Sequence, residues 1–300
     1  MNSRRLVAIV LAICPCIVLA QIFPTTQLAL NSNGSLLAIG YVDENKKDVV
    51  DIASLTEVSR VRTRRVAMNS IQAYTFSFGV DPESLLITTR WQNSFDLLRV
   101  GITDVRHPRI ETIYSSPTLL RFPAEVAPNK LVVLQQIDNL NGNSRWRILD
   151  GSSSPQVVGR VFNRSAPPSV VGSSAFVTIA STPPQLFSIV GDVPNSVSDF
   201  FGKLDGYLVC ADVPNLVTCV RSELTVLLTE SYSRLVINRG GILCKSDDEW
   251  FDLRELVVAR NGRYISFHAI PRGTKQRGIY LIDTSSDRCI PQRVYINREQ

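Results

Sequence analysis

The sequence predicts an all-β chain of the β-propeller type, with six or seven blades and seven the better fit, behind a cleaved amino-terminal leader. Three observations carry this. A strand–turn–strand unit recurs along the chain. Short β-rich runs are separated by Gly, Pro, Asn and Ser turns. No window beyond the leader holds an i, i+3, i+4, i+7 apolar stripe for three turns.

The leader comes first. Arg4 and Arg5 precede the apolar run Leu6 to Leu19, and Val18-Leu19-Ala20 supplies small residues before Gln21. This is the three-part pattern of a secretory signal peptide. A run of about 14 residues falls short of the roughly 20 that span a bilayer as a helix, and Pro15 interrupts it. Retention as an anchor and lipidation at Cys14 are the alternatives; bulky Ile13 before Cys14 argues against the second. The mature chain, residues 21–300, is expected to be one propeller domain without a membrane span, periplasmic or extracellular.

Of 300 residues, 44% are hydrophobic, which excludes a disordered chain and supports a large core. Cleavage takes two of the 32 basic residues, leaving a weak excess over 27 acidic ones. The dense basic run, Arg60, Arg62, Arg64 and Arg65, alternates with Val61, Thr63 and Val66 as on a solvated edge strand guarded by charge. A polyanion patch is the alternative, but the interleaved aromatics of a single-strand binder are missing, and no nucleic-acid partner is expected.

The repeat reads as follows. Leu28-Ala29-Leu30, Phe76-Ser77-Phe78 and Leu256-Val257-Val258 each precede a polar turn. The strands after those turns are Leu36-Leu37-Ala38-Ile39, Leu85-Leu86-Ile87-Thr88 and Tyr264-Ile265-Ser266-Phe267-His268. Asn33-Gly34 and Asn261-Gly262 are strong tight-turn pairs because both residue types tolerate positive φ. A looser copy turns at Ala127-Pro128-Asn129-Lys130, before the strand Leu131-Val132-Val133-Leu134. Further on lies another apolar strand: Val49 to Ile52, Phe95 to Val100, Trp146 to Asp150 and Gly278 to Asp283. A weaker fourth strand follows at Gln156 to Gly159 and Arg293 to Ile296, completing a four-stranded antiparallel blade. Turns near 33, 82 and 128 set the period. Between 160 and 255 the pattern degrades. Ala175 to Ile179, Tyr207 to Cys210 and Arg234 to Ile237 serve there as inner-strand candidates, at a spacing of about 30 residues that is tight for four strands. A pair of β-sandwiches is the rival architecture.

The Asn-Gly turn, the Leu-Ala-Ile or Ile-Ser-Phe strand after it and the later Ile279-Tyr280-Leu281-Ile282-Asp283-Thr284 strand resemble the WD40-like repeats of the TolB-type propeller family. The resemblance spans residues 25–160 and 225–296 and implies propeller architecture. TolB carries an α/β domain before its propeller; with the repeats here starting beside the expected cleavage site, that domain is not expected in this chain.

Four cysteines survive cleavage once Cys14 and Cys16 are lost, and an even number in an exported chain favours disulfides over a metal site. Cys210 and Cys219 flank a hairpin-like stretch with Val213-Pro214-Asn215 at its tip, which predicts a Cys210–Cys219 bridge and, by elimination, Cys244–Cys289. Four buried free thiols are the alternative.

Catalytic patterns are sparse. The sequence has no Gly-x-Ser-x-Gly elbow, no phosphate-cradling loop and no dinucleotide fingerprint. With two histidines, His107 and His268, a metal site or a Ser-His-Asp triad has little to build on. Asp247-Asp248-Glu249 lacks calcium-loop spacing. The blade-end Asp51, Asp150 and Asp283 read as turn caps, and Trp146 and Trp250 as packing residues. No catalytic residue, metal or cofactor is assigned. The ligand-binding candidates are Arg90, Trp91 and His268, placed near the ends of inner strands at the channel mouth. Asn33 and Asn163 open possible glycosylation sequons. The reading is an exported, non-enzymatic propeller that binds or scaffolds a protein partner. A lyase or hydrolase using channel carboxylates and arginines is the alternative, favoured by convergent Asp/Glu–Arg pairs around a deep pocket, as a plugged channel favours the binder.

Overall fold

The computed structural model describes residues 27–298, apart from 44, 46, 56–60, 68–71, 92–93, 138–142, 153, 161–166, 172, 180–184, 192–205, 211–223, 230–234, 240–241, 246–249, 262, 285–289 and 295. The leader, Cys219, Cys289 and Asn163 lie outside the described residues.

All regular structure among the described residues is β. The first sheet holds β1 (Gln27–Leu30), β2 (Leu36–Val42), β3 (Asp48–Ser54) and β4 (Val61–Arg65). The second holds β5 (Gln72–Phe78), β6 (Ser84–Trp91), β7 (Ser94–Gly101) and β8 (Ile110–Ser116). The third holds β9 (Leu120–Ala127), β10 (Lys130–Gln136), β11 (Ser144–Leu149) and β12 (Gln156–Val157). The fourth has β13 (Ser169–Val171), β14 (Ser174–Ile179) and β15 (Gln185–Val190). The fifth has β16 (Gly206–Cys210), β17 (Leu224–Thr229), β18 (Leu235–Arg239) and β19 (Ile242–Lys245). The sixth has β20 (Trp250–Val258), β21 (Tyr264–Pro271), β22 (Gly278–Asp283) and β23 (Gln292–Val294). The last strand, β24 (Ile296–Arg298), returns to the first sheet and pairs in parallel with β4.

Within each sheet the strands are antiparallel neighbours in chain order, β24 excepted. The innermost strands touch in the cyclic order β1, β5, β9, β13, β16, β20 and back to β1. That is a propeller ring, and two independent sandwiches would not close it.

The blade count needs correcting. Five sheets carry four or more strands and are full blades, against the six or seven expected; β13–β15 has three strands, and no seventh sheet occurs among the described residues. The error has a physical source. Residues 175–179 form the second strand of their sheet, 207–210 the first and 235–237 the third. Their 30-residue spacing compared unlike positions, because apolar β-rich runs look alike wherever both faces of a sheet are covered.

Both faces are covered because each sheet is sandwiched between neighbours. Ala38, Val50 and Ile52 of the first sheet pack with Phe76, Phe78, Leu85 and Ile87 of the second. The alternate residues Leu37, Ile39 and Ala53 pack the other way, with Tyr264, Ile279 and Leu281 of the sixth. Strand period 2 therefore feeds two cores from one strand, and single blades could bury neither alone. Trp146 is fully buried between the third and fourth sheets. Trp250 meets Phe267 edge-on, centroids 5.4 Å apart, within a cluster that includes Tyr280. Both tryptophans pack blades, as expected.

The basic run is also corrected. β4 is not an edge: β3 pairs with one side and β24 with the other. Thr63 is buried, while Arg64 and Arg65 are exposed.

Candidate functional site: the inner rim of the ring

An innermost strand has one free edge, facing the channel, and its backbone groups need partners. Several are met by side chains of a neighbouring blade. Phe76 N–H donates to Gln27 Oε1 at 3.2 Å, from the second sheet to the first. Phe122 N–H donates to Thr75 Oγ1 at 2.7 Å, and Ser77 Oγ donates to the Pro123 carbonyl at 2.7 Å, linking second and third. Thr75 is held in turn by Thr88: its N–H donates to Thr88 Oγ1 at 3.1 Å, and that hydroxyl contacts Thr75 Oγ1 at 2.8 Å.

The inner strands are also bulged. Register shifts fall between Ala73 and Thr75, at Phe122, and between Arg254 and Val257. Phe122 and Glu255 have φ of 50° and 53°, a region that bulky residues seldom enter. Each bulge lies about one turn's length before the strand-ending turn in its blade, and bulges re-aim side chains at rims. Arg121 and Glu255, beside or within these bulges, are exposed.

Glu125 of β9 is 7% exposed. Its Oε2 accepts from Val80 N–H at 2.8 Å. Its Oε1 accepts from Arg99 Nη2 at 2.7 Å and from Asn129 N–H at 3.3 Å. It thus ties the second blade's turn to the third blade's own turn. On the same face, Arg260 follows β20, and its Nη2 donates to the Val126 carbonyl at 3.3 Å. The third and sixth sheets lie three places apart in the ring, so this bond spans the channel at the face that carries the first turn of each blade.

The structure places the candidates at the opposite face. Arg90 and Trp91 end β6, whereas His268 lies within β21, three residues before its end at Pro271, which corrects its placement at a strand end. Both are second strands, one step out from the channel, which corrects the inner-strand placement. Arg90 is exposed, with its guanidinium 5.8 Å from the Phe95 ring centroid. Of Trp91 the backbone pairs with Ser94. His268 is 5% exposed and shares a face of β21 with Tyr264, which packs against the first sheet. Burial, with a smaller contribution from the Arg277 charge, pushes its pKa down to about 4, so the imidazole is neutral, and its Nε2 has no hydrogen-bond partner. The first sheet separates His268 from Arg90, so the set does not converge.

Of the blade-end acids, Asp150 caps as expected: Oδ1 accepts from Ser152 N–H at 3.1 Å, and Ser152 lowers its pKa. Asp51 does not. It is buried mid-strand, accepting from Tyr41 Oη at 2.6 Å with Arg65 Nε 3.5 Å away. His107 is an exposed turn residue, Nδ1 3.3 Å from Asp104 Oδ2. Among the described residues no group of three or more His, Cys, Asp or Glu is placed to hold a metal. Cys210 and Cys244 occupy opposite outside strands of the fifth sheet. Three strand spacings put them on the order of 14 Å apart, beyond disulfide reach.

Phe122, Glu125, Glu255 and Arg260 escaped the sequence reading. A bulge carried by Phe or Glu has no Gly to mark it, and Arg260 is one arginine among many beside a legible turn.

No protein-family model matches the chain, and no curated protein matches it in sequence. Solved structures do match in fold. The acylaminoacyl peptidase of Pyrococcus horikoshii is 10% identical with a TM-score of 0.50; the match covers 89% of this chain and 44% of the peptidase, so the chain spans under half of that enzyme. A provisional TolB from Agrobacterium tumefaciens is 11% identical with a TM-score of 0.50, over 78% of this chain and 84% of that one. The propeller domain of the Trilobed protease from Pyrococcus furiosus is 13% identical with a TM-score of 0.48, over 87% and 83%. The chain is an all-β propeller whose architecture resembles that of TolB-type propellers.

Proposed function

We propose that this chain is a non-enzymatic propeller that binds or scaffolds a protein partner outside the cytoplasm. The observation that carries the reading is the bond across the channel from Arg260 to Val126. With one end bridged by Arg260 and Glu125 committed to the second and third blades' turns, the rim residues act as ring ties, and the ring becomes a rigid display for loops. The partner surface in this reading is the face opposite that bond, where Arg90 and Arg121 are exposed. Export rests on the leader pattern of residues 1–20. The test is capture from an envelope or medium fraction under non-reducing conditions, using residues 21–300 and the Arg90→Glu/Arg121→Glu variant. A protein retained by the parent and lost by the variant supports the reading. An empty capture, or the same set with both baits, contradicts it.

A further inference from the structure

β23 and β24, one residue apart in the sequence, serve two blades. Residues 292–294 pair antiparallel with β22 at the outer rim of the sixth sheet. After a single intervening residue, Tyr295, residues 296–298 pair in parallel with β4 at the outer rim of the first, in the register Ile296 with Val61, Asn297 with Arg62 and Arg298 with Thr63. The segment clasps the two blades between which the ring closes.

The clasp is short. It has three residue pairs, and parallel pairing is slightly weaker per residue than antiparallel. The edge beneath it is longer: β4 runs over five residues, and β3 pairs its far side at Thr63, Arg64 and Arg65. A strand joined to its fold by a very short hinge is the element that chains exchange, since whatever fits in cis fits equally in trans.

We propose that the outer edge of β4 is an exchangeable strand-acceptor site, filled here by β24 of the same chain and fillable by β24 of a second copy. This is independent of the partner-binding face above, which lies at the end of the channel and not on the rim.

The acceptor is tested with a chain ending at Val294 and a fluorescent peptide of residues 292–300. The shortened chain binds the peptide saturably, and the full chain binds it at least tenfold more weakly because its own strand competes. If the shortened chain does not fold, Asn297→Pro in the full chain opens the same edge, since proline removes a donor from the strand, and it replaces the shortened chain in the assay. A folded acceptor that ignores the peptide, or equal binding by the full chain, overturns the proposal. Exchange itself is read by sedimentation. The full chain forms a reversible dimer as protein approaches the ~1 mM effective concentration of a short tether, and the shortened chain does not. A full chain monomeric throughout, or a dimer that survives shortening, overturns it.

Discussion

Asn261 Nδ2 donates to the carbonyl oxygen of Asn33 at 2.8 Å, joining the turn after β1 to the turn after β20 across 228 positions. Asn261 N–H adds a second bond, to the Ser32 carbonyl at 3.0 Å. The two asparagines are the turn residues that make the repeat visible in the sequence. They also meet in space, at the seam where the first and sixth sheets close the ring. Asn261→Ala should lower the unfolding free energy by about 1 kcal/mol, read as a shifted urea midpoint at constant slope.

Gly34 lies in the same seam with φ +72°, and a Cβ there would sit 2.7 Å from Tyr264 Cδ2. Left-handed backbone costs an alanine about 1 kcal/mol, and the contact with the buried tyrosine ring adds to it. Gly34→Ala should therefore cost more than Asn261→Ala, about 2–3 kcal/mol in total, by the same denaturation.

Glu125 carries a charge paired with Arg99 and two backbone donors. Arg99 is 27% exposed and can turn to water, so the loss is that of a charge-assisted bond and of the acceptor for two backbone donors, about 2–3 kcal/mol. Glu125→Ala should destabilise by that order, and Glu125→Gln, which keeps an acceptor, by clearly less. Equal losses would show that the carboxylate is not what ties the two turns.

Thr75 Oγ1 receives the Phe122 N–H at a residue already at positive φ. Thr75→Val keeps the shape and deletes the acceptor, so it should cost about 1–2 kcal/mol, with faster hydrogen exchange at the Phe122 amide. Thr75→Ser should restore protection.

His268 sets an acid dependence. Its folded pKa of about 4 lies below the ordinary 6.5, so between those values the unfolded chain binds a proton that the folded chain refuses. Stability is intact above pH 6.5 and falls toward pH 4, by up to about 3 kcal/mol. Chemical denaturation at pH 7 and pH 4.5 checks this. His268→Leu should flatten the difference, whatever its offset at pH 7.

What the sequence disclosed follows from where information is local. Asn33-Gly34 and Asn261-Gly262 announce their turns, and the runs at 36–39, 85–88, 131–134 and 264–268 became second strands because apolar β-branched residues suit a sheet covered on both faces. Trp146 and Trp250 were legible as packing for the same reason. The rim was not. Arg260 reaches a carbonyl 134 positions away, and the bulge at Phe122 depends on Thr75 of another blade; neither partnership leaves a mark at short range. Arg90 and His268 were chosen from strand ends, and a strand's rank within its blade, first or second from the channel, is fixed by the whole ring.

The most direct test of ring closure is a disulfide across the seam. Ser32 and Asn261 are backbone-bonded neighbours, close enough for a bridge. On mild oxidation, the monomeric Ser32→Cys/Asn261→Cys variant should yield an intramolecular cross-link between the peptides holding those positions, identified by mass spectrometry. A folded monomer whose cysteines at 32 and 261 stay unlinked would contradict a ring closed between its first and last blades.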